Sequence, residues 1–90
     1  MNLEPKFISL IQNSVRKFLP DAKIFIFGSR VRNTNQKFSD VDIAILDAAA
    51  DQKSLALIRY ELEESDLPYK TDVVNYNDLD NKIHSDAVEI

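Results

Sequence analysis

Asp40 and Asp42 stand one residue apart at the head of an apolar run, Val41-Asp42-Ile43-Ala44-Ile45-Leu46. In a β-strand successive side chains alternate between faces, so the two carboxylates emerge together while Val41, Ile43 and Ile45 turn the other way. Carboxylates side by side repel each other unless a positive charge sits between them. A hard divalent cation resolves that repulsion. Mg2+ characteristically takes one or two carboxylates and completes its shell with phosphate oxygens and water. An isolated Asp-x-Asp is more often a solvated strand entrance with no chemical role. Asp72, in Lys70-Thr71-Asp72-Val73-Val74, changes the balance. Alone it would serve as an edge charge opposing aggregation, but a carboxylate among apolar strand residues is costly to bury unless paired or metal-bound. If its strand lies beside that of Asp40 and Asp42, three carboxylates share one face. Two-metal phosphoryl chemistry needs that arrangement: one metal activates the attacking group and the other neutralises the triphosphate and leaving group.

A second constellation lies upstream. Gly28 is the only glycine in the chain and follows the apolar run Ile24-Phe25-Ile26-Phe27. Glycine where a strand turns into a helix lets the backbone come close to a ligand. Free N–H groups at such a turn attract anions, and the Ser29 hydroxyl adds one phosphate contact. The plainer alternative is a turn with a serine cap. Arg30, Arg32 and Lys37, with Lys23 upstream, form the one basic cluster of the chain. Taken by itself such a cluster reads as a solvated loop.

The elements that must position these residues follow from periodicity. Leu3, Phe7, Leu10, Ile11, Val15 and Phe18 recur at helical spacing and predict an amphipathic helix over 3–19, capped by Asn2, with Pro5 in its first turn and Pro20 as its stop. Lys23–Phe27 is a strand of β-branched and aromatic residues. A short helix over Ser29–Asn33 and a polar loop, Asn33–Ser39, lead to the strand Val41–Leu46. A helix fits Gln52–Glu64, with Leu55, Ile58 and Leu62 on one face and Asp51 as cap. Thr71–Tyr76 is a third strand, Asn77 caps a last helix over Asp78–Ser85, and the chain ends on Ala87–Ile90. The alternation of strands and helices predicts an α/β domain in which a small sheet is covered by helices.

Composition bounds the rest. Ninety residues, 44% of them hydrophobic, make one globular domain spanning 1–90. There is no cysteine, which excludes a disulfide scaffold, a thiolate zinc site and a cysteine nucleophile. Neither a signal-peptide pattern nor an apolar run of membrane-spanning length is present, so a cytoplasmic protein with no membrane partner is expected. The net charge of −4 argues against a general grip on nucleic acid. Any phosphate must be held locally, by a metal, by backbone N–H groups or by a few placed cations. The single histidine, His84, reads as a solvated helix residue, and Tyr69 and Tyr76 as core or interface residues.

The pieces gain weight together. Gly28-Ser29, ten further residues, then Asp40-Val41-Asp42 is a spacing that chance supplies in roughly one chain in a thousand of this length. With Asp72 on a later strand, the pattern resembles the signature of the DNA polymerase beta-like nucleotidyltransferase superfamily. Phe27-Gly28-Ser29-Arg30 and Ser39-Asp40-Val41-Asp42-Ile43-Ala44 resemble its smallest branch, the minimal nucleotidyltransferase (MNT) proteins. The resemblance implies a mixed sheet of three to four strands flanked by helices. It implies that Gly28 and Ser29 hold the triphosphate of ATP, with Arg30 helping. It implies that Asp40 and Asp42 bind catalytic Mg2+ and that Asp72 completes the set as metal ligand or base. Many members carry a second glycine where this chain has Asn33, a residue that also tolerates positive φ. The chain lacks the second domain with which larger transferases hold an acceptor, so a partner protein is expected to supply it.

Proteins of this branch act as antitoxins that transfer AMP from ATP to a tyrosine of a helical HEPN-domain toxin, an RNase. That is the activity the resemblance implies here. Two alternatives stand beside it: a non-catalytic antitoxin that neutralises its partner by contact, and nucleotidyl transfer to a small molecule such as an aminoglycoside.

Overall fold

The structure, a computed structural model, describes residues 1–34 and 39–90. Lys37 and the middle of the expected Asn33–Ser39 loop lie outside the described residues. Helix α1 spans Pro5–Phe18, with proline in the first turn, where its missing N–H is not needed. Its cap residue is Glu4, which makes no side-chain cap bond. Asn2, expected there, is engaged elsewhere, its backbone N–H donating to the Arg30 carbonyl at 2.8 Å. Strands β1 (Lys23–Phe27) and β2 (Val41–Leu46) have the predicted bounds.

Helix α2 covers Gln52–Glu63 and starts at a reciprocal cap. The Ser54 amide donates to the Asp51 carboxylate at 2.8 Å, and the Asp51 amide donates to the Ser54 hydroxyl oxygen at 2.9 Å. Hydrogen bonds from the Ser54 amide first, and then from its side chain, hold the Asp51 carboxyl below its ordinary range. Strand β3 is Thr71–Asn75, one residue shorter than expected, because Tyr76–Asp78 turns into a 3-10 helix. Helix α3 therefore starts later, at Asn81–Asp86, and Asp80 caps it in place of Asn77. A two-residue strand, β4 (Val88–Glu89), closes the chain.

The four strands form one mixed sheet in the order β3-β2-β1-β4. Strand β1 runs antiparallel to both β2 and β4, while β2 and β3 are parallel and joined through α2. Ile24 and Ile26 pair with Ile45 and Ile43, and Ile43 pairs in turn with Val73. These side chains share the face on which Ile11 and Val15 of α1 and Ile58 and Leu62 of α2 complete the core, every one of them at most 2% exposed. Removing each such side chain from water contributes about 1.5–3 kcal/mol before chain entropy is counted. The period of two that makes this core also puts Asp42 and Asp72 on the opposite face.

That opposite face is partly covered. Phe25, on the Asp42 side by register, stacks on Tyr76 at 4.3 Å between ring centres, and Tyr76 stacks on His84 at 4.1 Å. His84 Nε2 donates to the Tyr76 carbonyl at 2.6 Å. His84 is thus half-buried in a three-ring stack and not the solvated helix residue expected from sequence. The stack pins α3 over one end of the sheet. None of the helices among the described residues is long and apolar enough to cross a membrane.

Candidate functional site

Asp42 and Asp72 are direct partners in the parallel β2–β3 register, and Phe27 is the antiparallel partner of Asp42 on β1. Cross-strand partners project from the same face, so Asp72 stands beside Asp42, and Asp40, two residues earlier in the chain, precedes β2. Asp40 and Asp72 are exposed, whereas Asp42 is half-buried. Burial raises the Asp42 carboxyl above its ordinary range, the charges of Asp72 and then Asp40 raise it further, and Arg32 pulls in the opposite direction. Asp40 and Asp72 thus both lie within electrostatic reach of Asp42.

The turn after β1 is built around the same carboxylate. Gly28 has φ of +79°, and a Cβ at that position would run into Oδ2 of Asp42. Gly28 therefore answers two demands, a left-handed backbone and the space the carboxylate occupies. A 3-10 helix, Gly28–Arg30, follows, with the Gly28 carbonyl accepting from the Val31 amide at 3.2 Å. It starts one residue earlier and is shorter than the predicted helical stretch. Asn33 adopts φ of +56°, the conformation expected of it, and the Ser29 carbonyl accepts from the Thr34 amide at 2.9 Å. The Gly28 turn and the carboxylates of Asp42 and Asp72 thus lie together at one end of the strands.

Arg30 is placed differently from the expectation of a phosphate contact. It is 3% exposed. Its guanidinium donates to the Asn2 carbonyl at 3.1 Å and to the Ser39 carbonyl at 2.7 Å, and lies 4.0 Å from the centre of the Tyr69 ring. Its Nε is buried without a partner. This buried fork holds the N-terminal segment to the residue that precedes Asp40. The guanidinium is engaged by backbone carbonyls and the Tyr69 ring and buried from solvent. Arg32, which is exposed, is the cation whose charge acts on Asp42.

Among the described residues, cavities flank the sheet on two sides. One of about 330 Å3 lies between α2 and β3, lined by Arg59, Asn75 and Asp78 among others, and includes none of the three aspartates. The other, about 210 Å3, lies beside the glycine turn and is lined by Phe27, Gly28, Arg32, Lys82, Ile83 and Asp86. The smaller one adjoins the chemistry. Lys82, Ile83 and Asp86 are residues that sequence reasoning missed, since nothing local to α3 signals that it lies against the Gly28 turn.

The donor set suits Mg2+. Asp42, half-buried and held against a glycine that leaves room for it, is repelled by Asp72 and Asp40, a hard-oxygen set whose repulsion a divalent ion would relieve. Among the described residues no group of three acidic or histidine side chains stands close enough together to hold a metal ion by itself. Mg2+ does not require one, because it shares its shell with substrate phosphates and water.

Comparisons with known proteins agree with this fold. A family model described as "Polymerase beta, Nucleotidyltransferase" matches residues 11–89. The chain is 26% identical over 77 residues to a protein of Haemophilus influenzae named "Probable protein adenylyltransferase MntA", over 84% of this chain and 68% of that protein. It also superposes on a solved structure described as "Crystal structure of the toxin-antitoxin with AMP-PNP", with a TM-score of 0.65 and 25% identity, over 87% of this chain and 70% of that one.

Proposed function

The chain belongs to the polymerase beta nucleotidyltransferase family, and from that membership we propose that residues 1–90 form a minimal protein adenylyltransferase. In this reading it transfers AMP from ATP to a tyrosine hydroxyl of a helical HEPN-domain toxin and so acts as its antitoxin. The observation that carries the reading is the pairing of Asp42 with Asp72 on an accessible face, directly beside the Gly28 turn. The relative named as a protein adenylyltransferase and the toxin-antitoxin structure with an ATP analogue support the choice of donor and of partner class.

Asp40 and Asp42 would hold Mg2+, which when bound screens the triphosphate charge and orients it. Gly28 brings the backbone of the turn against the phosphates, and Ser29 adds its hydroxyl. Asp72 accepts the proton of the incoming hydroxyl or shares the metal. Arg30 keeps Ser39, and through it Asp40, in place. Phosphoryl-type transfer depends mainly on positioning and charge neutralisation, so a docked tyrosine in line with the α-phosphate suffices. An open carboxylate face suits an acceptor brought by a second protein.

Incubation with ATP, Mg2+ and the product of the neighbouring gene tests this. The partner should gain one or more AMP masses by mass spectrometry, on a tyrosine. Asp40→Asn/Asp42→Asn should abolish the gain while circular dichroism is unchanged. A partner neutralised equally well by that variant, with no added mass, would establish inhibition by contact and sink the enzyme reading.

A further inference from the structure

We propose that Lys82 is a polyphosphate-binding residue: with Arg32 it flanks the cavity beside Gly28 and holds the β- and γ-phosphates of the nucleotide as the pyrophosphate leaving group. This rests on the nucleotidyl-transfer reading above. The cavity's two cations come from different elements, Arg32 from the turn after β1 and Lys82 from α3. In a chain of net charge −4, cations brought to one cavity from distant segments make a local exception to the overall field. Asp86 also lines the cavity, and its single negative charge against the two cations leaves the lining net positive. Phe27 and Ile83 supply apolar walls.

Size and chemistry both favour the phosphate end. A volume of about 210 Å3 holds part of a nucleotide, since pockets that bury a whole drug-sized ligand run to roughly 300–1,000 Å3. Two of the rings nearby on which a base could stack, Tyr76 and His84, are already stacked on each other. In the transfer the acceptor oxygen forms a bond to the α-phosphorus. The bond from that phosphorus to the oxygen bridging the β-phosphate breaks, and its electron pair leaves with pyrophosphate. The acceptor proton passes to a carboxylate or to solvent. Negative charge therefore grows on the group beside Lys82 and Arg32, where fixed cations stabilise the transition state more than the ground state. Arg32 also acts electrostatically on Asp42, which links the cavity to the carboxylate face.

Titration calorimetry on the full chain, with Mg2+ plus inorganic pyrophosphate and separately with Mg2+ plus AMP, distinguishes the two ends of the nucleotide. Lys82→Met should weaken pyrophosphate binding on the order of tenfold, the loss of one charge-assisted contact, and leave AMP binding unchanged. Lys82→Arg should recover most of the loss. Unchanged pyrophosphate binding in Lys82→Met overturns the proposal: the cavity takes the nucleoside if AMP binding falls, and is idle if it does not. A wild type that binds Mg2+ and ATP but not pyrophosphate also overturns it and leaves the transfer reading standing. A wild type that binds neither ligand defeats the transfer reading itself.

Discussion

Gly28 sits so close to Asp42 that the smallest side chain at position 28 would occupy the place of the Asp42 carboxylate. The left-handed backbone there adds about 1–2 kcal/mol for any residue with a Cβ. Gly28→Ala should therefore lower stability in urea denaturation and weaken Mg2+-ATP binding more than tenfold, and Gly28→Val should do worse. Ser29→Ala should weaken binding only moderately, because the backbone N–H groups remain. Gly28→Ala with wild-type stability and affinity would refute this account of the turn.

Asp42 sets a conflict between stability and function. Burial first, then Asp72 and Asp40, raise its carboxyl in the folded state above its value in the unfolded chain. A raised carboxyl favours folding when protonated. That contribution is full below about pH 4, the ordinary aspartate range, and is lost as pH rises through the raised value. At neutral pH the ionised group therefore costs stability. Asp42→Asn should raise the melting temperature without metal at pH 7, the gain should shrink as pH falls towards 4, and Mg2+-ATP stabilisation should disappear. An Asp42→Asn variant less stable than wild type at pH 7 without metal would contradict the assignment.

Asp72 should separate binding from chemistry. If Asp72 takes the acceptor proton, Asp72→Asn should lower the transfer rate by a factor on the order of 10² or more. Mg2+-ATP affinity, carried by Asp40, Asp42 and the glycine turn, should fall far less. Pre-steady-state transfer to the partner, with affinity measured separately, reads both. Equal losses in the two would make Asp72 a metal ligand instead.

Arg30 and Arg32 should behave in opposite ways. Arg30→Lys loses the planar fork that meets two carbonyls at once and should destabilise the fold by about 1–3 kcal/mol. At temperatures where it stays folded, its ATP affinity should remain near wild type. Arg32→Ala, at an exposed position, should leave the denaturation midpoint unchanged and weaken nucleotide binding. A stable Arg30→Lys protein with lost ATP affinity would return Arg30 to the phosphate.

The parts legible in the sequence are those fixed by short-range pattern. A period of two in β1 and β2 gives both the core face and the carboxylate face, and the Asp51 cap is written within four residues. Positive φ at Asn33 follows from its side chain. What sequence reading missed depends on long-range neighbours. Strand β4 has two residues and exists because the edge of β1 is open to pair with it. A charged residue in a basic cluster is expected to face water. Arg30 is buried because Tyr69, Asn2 and Ser39 converge on it from three other segments. Lys82 meets the Gly28 turn only because the Phe25, Tyr76 and His84 rings bring α3 over the sheet.

The parallel pairing of β2 with β3 also sets a time order. Asp42 finds Phe27 through a nearby segment, but Asp72 reaches Asp42 only after the whole α2 crossover has closed. Non-local strand pairing is the slow part of assembling such a sheet. The proposed site is therefore complete only once this non-local pair has formed. In refolding experiments, nucleotide-dependent protection should appear with the last kinetic phase, after most secondary structure is already in place.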